Sequence, residues 1–535
     1  MSSDHAPFLI PARHLLRMCR RNMRRQKLAD STGAELTGAG LLTRALVLRR
    51  LLRREVLADD EKIVGVLMPP TVAGAVVNAT LALDGRTSSN LNYSVKSSEV
   101  LNETIRQAGI RHVLTSRRVM DRLNLEIDTE VVYLEDFVKK VRLSDKLIGA
   151  FQASFCPVGR LERRLGLTQI DPDDVLTLIF TSGSTGVPKG AMLTHRNINA
   201  NVESFTERVA FSDQDVVVGI LPFFHSFGYT TTMWSAFYLN CKAVYHTSPL
   251  EPQPIGKLCR KYGGTILIMT PTFLRTYLKK IPAEDFESLN LAVAGAEKLS
   301  GSLADAFEAK YGFRPVEGYG ATELSPVVST NVPPERNHRP DQENLLREGS
   351  IGKPLPRVYA KVVDLDTEED LGPNQTGMLW VRGNAVMKGY YGQPELTAEV
   401  MRGEWYVTGD VARIDEDGFI FITGRINRFS KIGGEMVPHI RIEEIINQIE
   451  EVPEDELRLT VTAVPDEKKG ERIVVLYTQL TKTPQEICRE MREQGVSTLW
   501  IPSPDSFRQI DEIPVLGSGK VALKDAQEIA KQLFA

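Results

Sequence analysis

The sequence predicts an α/β protein: a large multi-layer N-terminal domain with mainly parallel sheets and a small β-rich subdomain, followed by a small α+β C-terminal domain. Three observations carry that expectation. At 535 residues the chain exceeds what a single hydrophobic core ordinarily serves. Over most of its length, short β-rich apolar runs end in turn residues and alternate with helical patterns, as parallel strands with crossover helices require. Two later stretches change character: 349–424 is cut into strand-like pieces by Gly, Asp and Pro, and 425–535 reads as a unit of its own. The expected boundaries are 1–30 for a basic N-terminal segment, 31–424 for the large domain with 349–424 as its β-rich part, and 425–535 for the small domain.

The N-terminal segment carries Arg13, Arg17, Arg20, Arg21, Arg24, Arg25 and Lys27 with no acidic residue between them. Phe8, Ala12, Leu15, Leu16, Cys19 and Met23 recur at helical spacing on another face. Such a helix either docks on the domain by its apolar stripe or, over residues 8–27, makes peripheral contact with an anionic membrane. Strands are expected at 63–68, 175–180, 265–269 and 291–294. The uncharged runs 63–83 and 221–241 are long enough to span a bilayer. Pro69, Pro70 and Asn78 in the first, and His225, Ser226 and several threonines in the second, make each read better as buried soluble structure. No signal peptide is evident. The β-rich part offers strands at 360–364, 378–381 and 419–423. After Gly424 come a glycine-containing loop, a helix at 441–450, strands at 459–464 and 473–479, and a helix near 524–533.

Composition narrows the class. With 42% hydrophobic and 25% charged residues and a net charge of -4, the chain reads as an ordinary soluble protein, with no global case for nucleic-acid binding. Cys19, Cys156, Cys241, Cys259 and Cys488 are scattered without a CxxC pair, so neither a disulfide framework nor a cysteine zinc site is expected. A reducing, cytoplasmic setting follows, with the inner membrane surface as a peripheral location if the basic helix binds lipid.

The most informative stretch runs from Leu178 to Gly190. An apolar strand enters a loop rich in Gly, Ser and Thr that closes on Lys189. Gly183 and Gly186 allow close backbone approach. Thr181, Ser182, Ser184 and Thr185 add hydroxyls, and Lys189 adds an ammonium, so the loop can hold a polyphosphate. It does not satisfy the Walker A spacing.

Thr181–Gly190 resembles the signature loop of the adenylate-forming superfamily, which includes acyl-CoA synthetases, acyl-ACP synthetases, luciferases and adenylation domains of peptide synthetases. Motifs in that family's order cover about 60–525. The resemblance implies a large domain joined by a hinge to a small mobile one. Glu317, Gly318, Tyr319, Gly320, Thr322 and Glu323 resemble the second core motif; by that resemblance Tyr319 packs on adenine, Thr322 contacts phosphate, and Glu323 holds Mg2+ together with Thr181. Gly295 and Ala296 resemble the segment that passes along adenine, although Ala-Gly-Ala also suits tight packing. Trp405–Asp410 resembles the ribose motif, with Asp410 as the diol anchor. Arg425 is the expected nucleotide contact at the hinge, where Arg428 stands in place of the usual Asp or Lys. The 431–438 stretch departs from the common form as well. Lys520, in Gly-Ser-Gly-Lys, resembles the catalytic lysine of the small domain. His225, in Phe-Phe-His-Ser-Phe-Gly, resembles an aromatic segment near the acyl pocket and is expected to position or gate; a packed core histidine is the plain alternative.

These resemblances imply ATP-dependent activation of a carboxylic acid to acyl-AMP with release of pyrophosphate, then transfer to a thiol. Segments 295–299, 317–328, 431–437 and 516–520 look most like the acyl-ACP synthetase half of 2-acylglycerophosphoethanolamine acyltransferases. That branch implies a medium- to long-chain fatty acid and the phosphopantetheine thiol of acyl carrier protein. No HxxxxD motif precedes Ile63, so the ligase half is expected without its acyltransferase. A fatty acyl-CoA synthetase using coenzyme A is the alternative. An aryl- or amino-acid adenylation module is disfavoured because 223–245 holds no Asp for an α-amine. A non-catalytic nucleotide-binding protein is disfavoured by the intact Glu323, Asp410 and Lys520.

Overall fold

The structure is a computed structural model that describes residues 9–95, 97–123, 125–182, 188–432, 435–453, 456–466, 470–515 and 521–534. Its packing divides into two compact units: Met1–Ala360 with Trp380–Val407 and Asp415–Phe421, and Lys361–Leu379 with Thr408–Ile414 and Ile422–Ala535. The division falls inside four strands, Val358–Val363, Thr376–Gly383, Trp405–Ile414 and Ile420–Arg425. All four lie in or at the edge of the stretch expected to be β-rich.

The first unit holds two large sheets. One is nine-stranded, in the order Lys353–Pro354, Val327–Thr330, Val316–Gly320, Leu291–Ala294, Ile266–Met269, Val216–Gly219, Lys242–Tyr245, Gln26–Asp30, Glu35–Thr37. Pairing is parallel from Val316–Gly320 to Gln26–Asp30 and antiparallel at both ends. The other is six-stranded, in the order Glu130–Tyr133, His112–Thr115, Ile63–Val66, Thr87–Asn90, Val175–Ser182, Pro188–Thr194, with only the last pair antiparallel. Strands such as Ile266–Met269 and Val216–Gly219 are apolar without alternation because every residue is buried. The run 63–83 forms the strand Ile63–Val66 and the helix Val72–Leu83, whose first turn is capped by Thr71 and by the Asp30 carboxylate on the Val72 N–H at 2.8 Å. Among the described residues no helix is long and apolar enough to cross a membrane.

The basic N-terminal segment is docked. Helix Pro11–Arg21 buries Ala12, Leu15, Leu16 and Cys19. Arg13 and Arg17 both bind the buried Glu162, at 2.9 and 2.7 Å. Arg20 reaches the Ala153 carbonyl, and Arg25 pairs with Asp213 at 2.8 Å. Lys27 belongs to an inner strand, with its ammonium buried on the carbonyls of Leu239 and Cys241. Arg13, Arg17, Arg20, Arg25 and Lys27 of the positive run thus have specific partners in the fold. All five cysteines are free and buried.

The second unit contains a three-stranded sheet. Leu459–Asp466 pairs antiparallel with Gly470–Tyr477, which pairs parallel with Phe507–Gln509. Alternation along these strands splits their side chains between two cores. Val461 and Val475 pack with Ile442, Ile446, Ile487 and Met491; Val474 and Leu476 pack with Ala526 and Ala530. The helices are His439–Ile449, Pro484–Glu493 and Leu523–Leu533. Arg428, expected at the hinge, is buried: it pairs with Glu443, and the same carboxylate accepts from Thr460 and from the Val461 N–H at 2.9 and 2.7 Å.

Candidate active site

The first unit gathers most of the expected residues at the carboxyl ends of its parallel strands, where open α/β sheets bind ligands. The hairpin of Val175–Ser182 and Pro188–Thr194 sets Thr181 directly opposite Lys189. Segment 387–391 lies along the second strand. The Met192 N–H donates to the Gly389 carbonyl at 2.9 Å, the Lys388 N–H to Met192 at 3.0 Å, and the Tyr391 N–H to Gly190 at 2.8 Å. This register sets the Lys189 ammonium over the Tyr390 ring, 5.5 Å from its centroid.

Tyr390 then reaches Glu323, its hydroxyl donating to Oε1 at 2.7 Å. Glu323 sits in the 3-10 turn Thr322–Leu324, and its carbonyl accepts the Met387 N–H at 2.7 Å. Ser325 fastens the same turn by donating to the Ala385 carbonyl at 2.7 Å. Burial, then the nearby Glu323 carboxylate, push the phenols of Tyr390 and Tyr406 far above the ordinary tyrosine range, so both remain hydrogen-bond donors at working pH. Lys189, Tyr390 and Glu323 therefore form one continuous polar line, which starts beside Thr181.

A second cluster adjoins Thr322. Ser226 donates to its hydroxyl at 3.2 Å. The Phe227 ring lies against Gly295, where a Cβ would come within 3.0 Å of it. Ala296 adopts a left-handed φ of 69°, so the chain turns sharply as it leaves strand Leu291–Ala294. Glu317 ties that turn down by accepting the Leu299 N–H at 3.2 Å, while burial raises its carboxyl above the usual range. Gly318 and Gly320 are both crowded: a Cβ on Gly318 would lie 3.1 Å from the Val293 side chain, and one on Gly320 2.1 Å from the Pro326 carbonyl oxygen. Tyr319 is half-buried between them. His225 is exposed although Phe223 and Phe224 beside it are buried, so it is not a packed core histidine. It precedes a six-residue π-helix, Tyr229–Trp234, an irregularity frequent at functional sites.

In the second unit Asp410 is buried and accepts Arg425 Nε at 2.6 Å. Thr408 and Gly409, with φ of 74°, set the local turn of the strand. The two expected nucleotide contacts are thus joined by an ion pair that spacing alone did not suggest. Gly183, Ser184, Thr185, Gly186, the Ser182 side chain and Lys520 lie outside the described residues. Tyr390 and Tyr406 were missed by sequence reasoning. Their signal was the unweighed run Met387-Lys-Gly-Tyr-Tyr-Gly, and a tyrosine inside the stretch read for Asp410.

The donor set suits a magnesium nucleotide. Among the described residues no three His, Cys, Asp or Glu side chains cluster as a metal cage. Magnesium needs none: it binds through one or two oxygen groups and the phosphates themselves. Tyr390 engages one Glu323 oxygen, and a carboxylate is the kind of hard oxygen donor such a cation takes.

Comparison with known proteins agrees. The AMP-binding enzyme family profile matches residues 15–391. The chain is 31% identical over 441 residues to a long-chain-fatty-acid–CoA ligase of Yersinia pestis, covering 80% of this chain and 74% of that one. It is 26% identical over 474 residues to a 4-coumarate–CoA ligase of Pinus taeda, covering 87% and 84%. Among solved structures it superposes on ATP-bound MatB from Rhodopseudomonas palustris with a TM-score of 0.77 at 22% identity, covering 98% of this chain and 100% of that one. It superposes on an anthranilate CoA ligase bound to anthranoyl-AMP with a TM-score of 0.78 at 19% identity, covering 100% of both. These two likenesses establish the fold.

Proposed function

The chain belongs to the AMP-binding enzyme family, and from that premise we propose that it activates a fatty acid with ATP and passes the acyl group to coenzyme A. The carrying observation is the line from Thr181 and Lys189 through Tyr390 to Glu323, a cation and a carboxylate held close together at the mouth of the phosphate loop. A fatty acid is favoured by relatives named long-chain-fatty-acid–CoA ligases that match about four-fifths of the chain.

In the first half-reaction a carboxylate oxygen attacks the α-phosphorus, and the bond to the bridging oxygen breaks to release pyrophosphate. The site's task is electrostatic: two anions must be held in line. Lys189 and the Thr181 hydroxyl serve the phosphates, and Lys520 would serve the α-phosphate. A divalent cation held by Glu323 and Thr181 would neutralise further charge. In the second half-reaction a thiolate attacks the acyl carbonyl and AMP leaves.

The carrier-protein thiol implied by the motif resemblance is the second reading; it rests on segments 295–299, 317–328, 431–437 and 516–520. One experiment separates the readings. ATP–pyrophosphate exchange is measured across saturated acids of increasing length, then thioester formation with coenzyme A or with holo acyl carrier protein. Exchange with medium- or long-chain acids and thioester formation on coenzyme A support the proposal. Exchange with aryl acids alone removes the fatty acid, and transfer to carrier protein alone removes coenzyme A.

A further inference from the structure

Helix Leu143–Ser154 is amphipathic in the wrong sense for a packed helix. Its buried face carries Asp145, Gly149, Gln152 and Ala153. At Gly149 a Cβ would lie 2.6 Å from Val47, so the helix approaches Gly38–Glu55 on a glycine rather than on large apolar side chains. Asp145 is held by Arg54 at 3.0 Å and Arg50 at 3.3 Å. The large apolar residues point outward instead. Leu143, Leu147, Phe151 and Phe155 are 71, 62, 61 and 74% exposed, and their spacing of four places them on one stripe. Val138, just before the helix, is 76% exposed. Soluble proteins seldom present such a row without a use for it.

Within 137–164 every exposed charge is positive. Lys139, Arg142, Lys146, Arg160, Arg163 and Arg164 are exposed. The acidic side chains of 137–164, Asp145 and Glu162, are both buried and ion-paired to arginines of other helices. Helix Pro11–Arg21 is fastened to this region by Arg20 on the Ala153 carbonyl.

We propose that the Leu143–Phe155 face is a monotopic docking surface for an anionic phospholipid membrane. The leucines and phenylalanines enter the headgroup boundary and the lysines and arginines contact lipid phosphates. The exposed apolar row, flanked by cations, favours an anionic lipid interface. The surface differs from the N-terminal helix, whose own apolar stripe is buried, and the inference does not depend on which acid is activated.

The test is flotation of the full chain with phosphatidylcholine vesicles, with or without phosphatidylglycerol. Binding should need the anionic lipid and weaken with salt. Leu147→Gln/Phe151→Gln should lower partitioning by roughly a hundredfold, since two large apolar side chains no longer enter the lipid. Arg142→Gln/Lys146→Gln, which touches no apolar contact, should remove most of the preference for phosphatidylglycerol. Thermal unfolding of both variants should match the parent. Absent flotation of the parent at low salt, or flotation unchanged in Leu147→Gln/Phe151→Gln, overturns the proposal. So does a parent dimer that this variant dissociates, which assigns the face to a second copy. Loss of thioester transfer to an acidic carrier protein with flotation intact assigns it to that protein and also overturns the proposal.

Discussion

Tyr390 grips Glu323 from 67 positions further along the chain. Its phenol, kept protonated by burial and by that carboxylate, fixes one oxygen and so aims the other. A hydrogen bond to a charged group contributes about 1.5–3 kcal/mol. Tyr390→Phe should therefore slow ATP–pyrophosphate exchange by roughly ten- to a hundredfold while the melting temperature stays nearly constant. An unchanged exchange rate would show that Glu323 needs no such partner. Thr181, Lys189 and Glu323 were legible in the sequence because each stands in a contiguous run whose chemistry explains itself. Tyr390 was not, because a tyrosine far away becomes meaningful only once segment 387–391 is laid along Pro188–Thr194. The Asp410–Arg425 pair was half legible: both residues were singled out, each as a ligand contact, and neither as the other's counterion.

At the scale of the element, helix Pro11–Arg21 shows what periodicity can decide. Its stripe was readable, but not which surface would cover it. That depended on Glu162, an acid far along the chain that no local pattern connects to Arg13 and Arg17. His14 stacks on Tyr238 at 3.9 Å beneath the helix. Burial, then Arg17 and Arg13, lower its pKa from 6.5 to about 4. A folded value below the unfolded one means the unfolded chain takes up the proton first. Stability from this contact is complete above pH 6.5 and declines as pH falls toward 4. His14→Gln should flatten that part of the stability–pH curve, read by thermal unfolding at successive pH values; an unaltered slope would exclude His14 as a contributor. The apolar strands were legible because a strand buried on both faces needs no alternation. Helix Pro484–Glu493 and strand Phe507–Gln509 were missed; a capping box at Thr483 and Glu486 marked the first.

For the whole molecule, the sequence foretold a large body and a small one, and the packing divides into two units. The motif resemblance assigns Lys520 to adenylation alone. Lys520→Ala should then depress acyl-adenylate formation severely and leave thioester formation from synthetic acyl-AMP near its parent rate; equal loss of both would dissolve that division of labour. The exact partition was not legible, because it falls inside strands rather than at the turns between them. The five buried free thiols have a consequence of their own. Burial pushes Cys19 and Cys259 up to about 12, so these two offer an alkylating reagent almost no thiolate in the folded chain, and all five side chains are shielded by burial. Four of these residues lie in the first unit and Cys488 in the second. Each cysteine is therefore an internal clock for the opening of its own neighbourhood. Position-resolved labelling on mild warming should report whether Cys488 is released before the other four, turning the native sequence into a gauge of which body melts first.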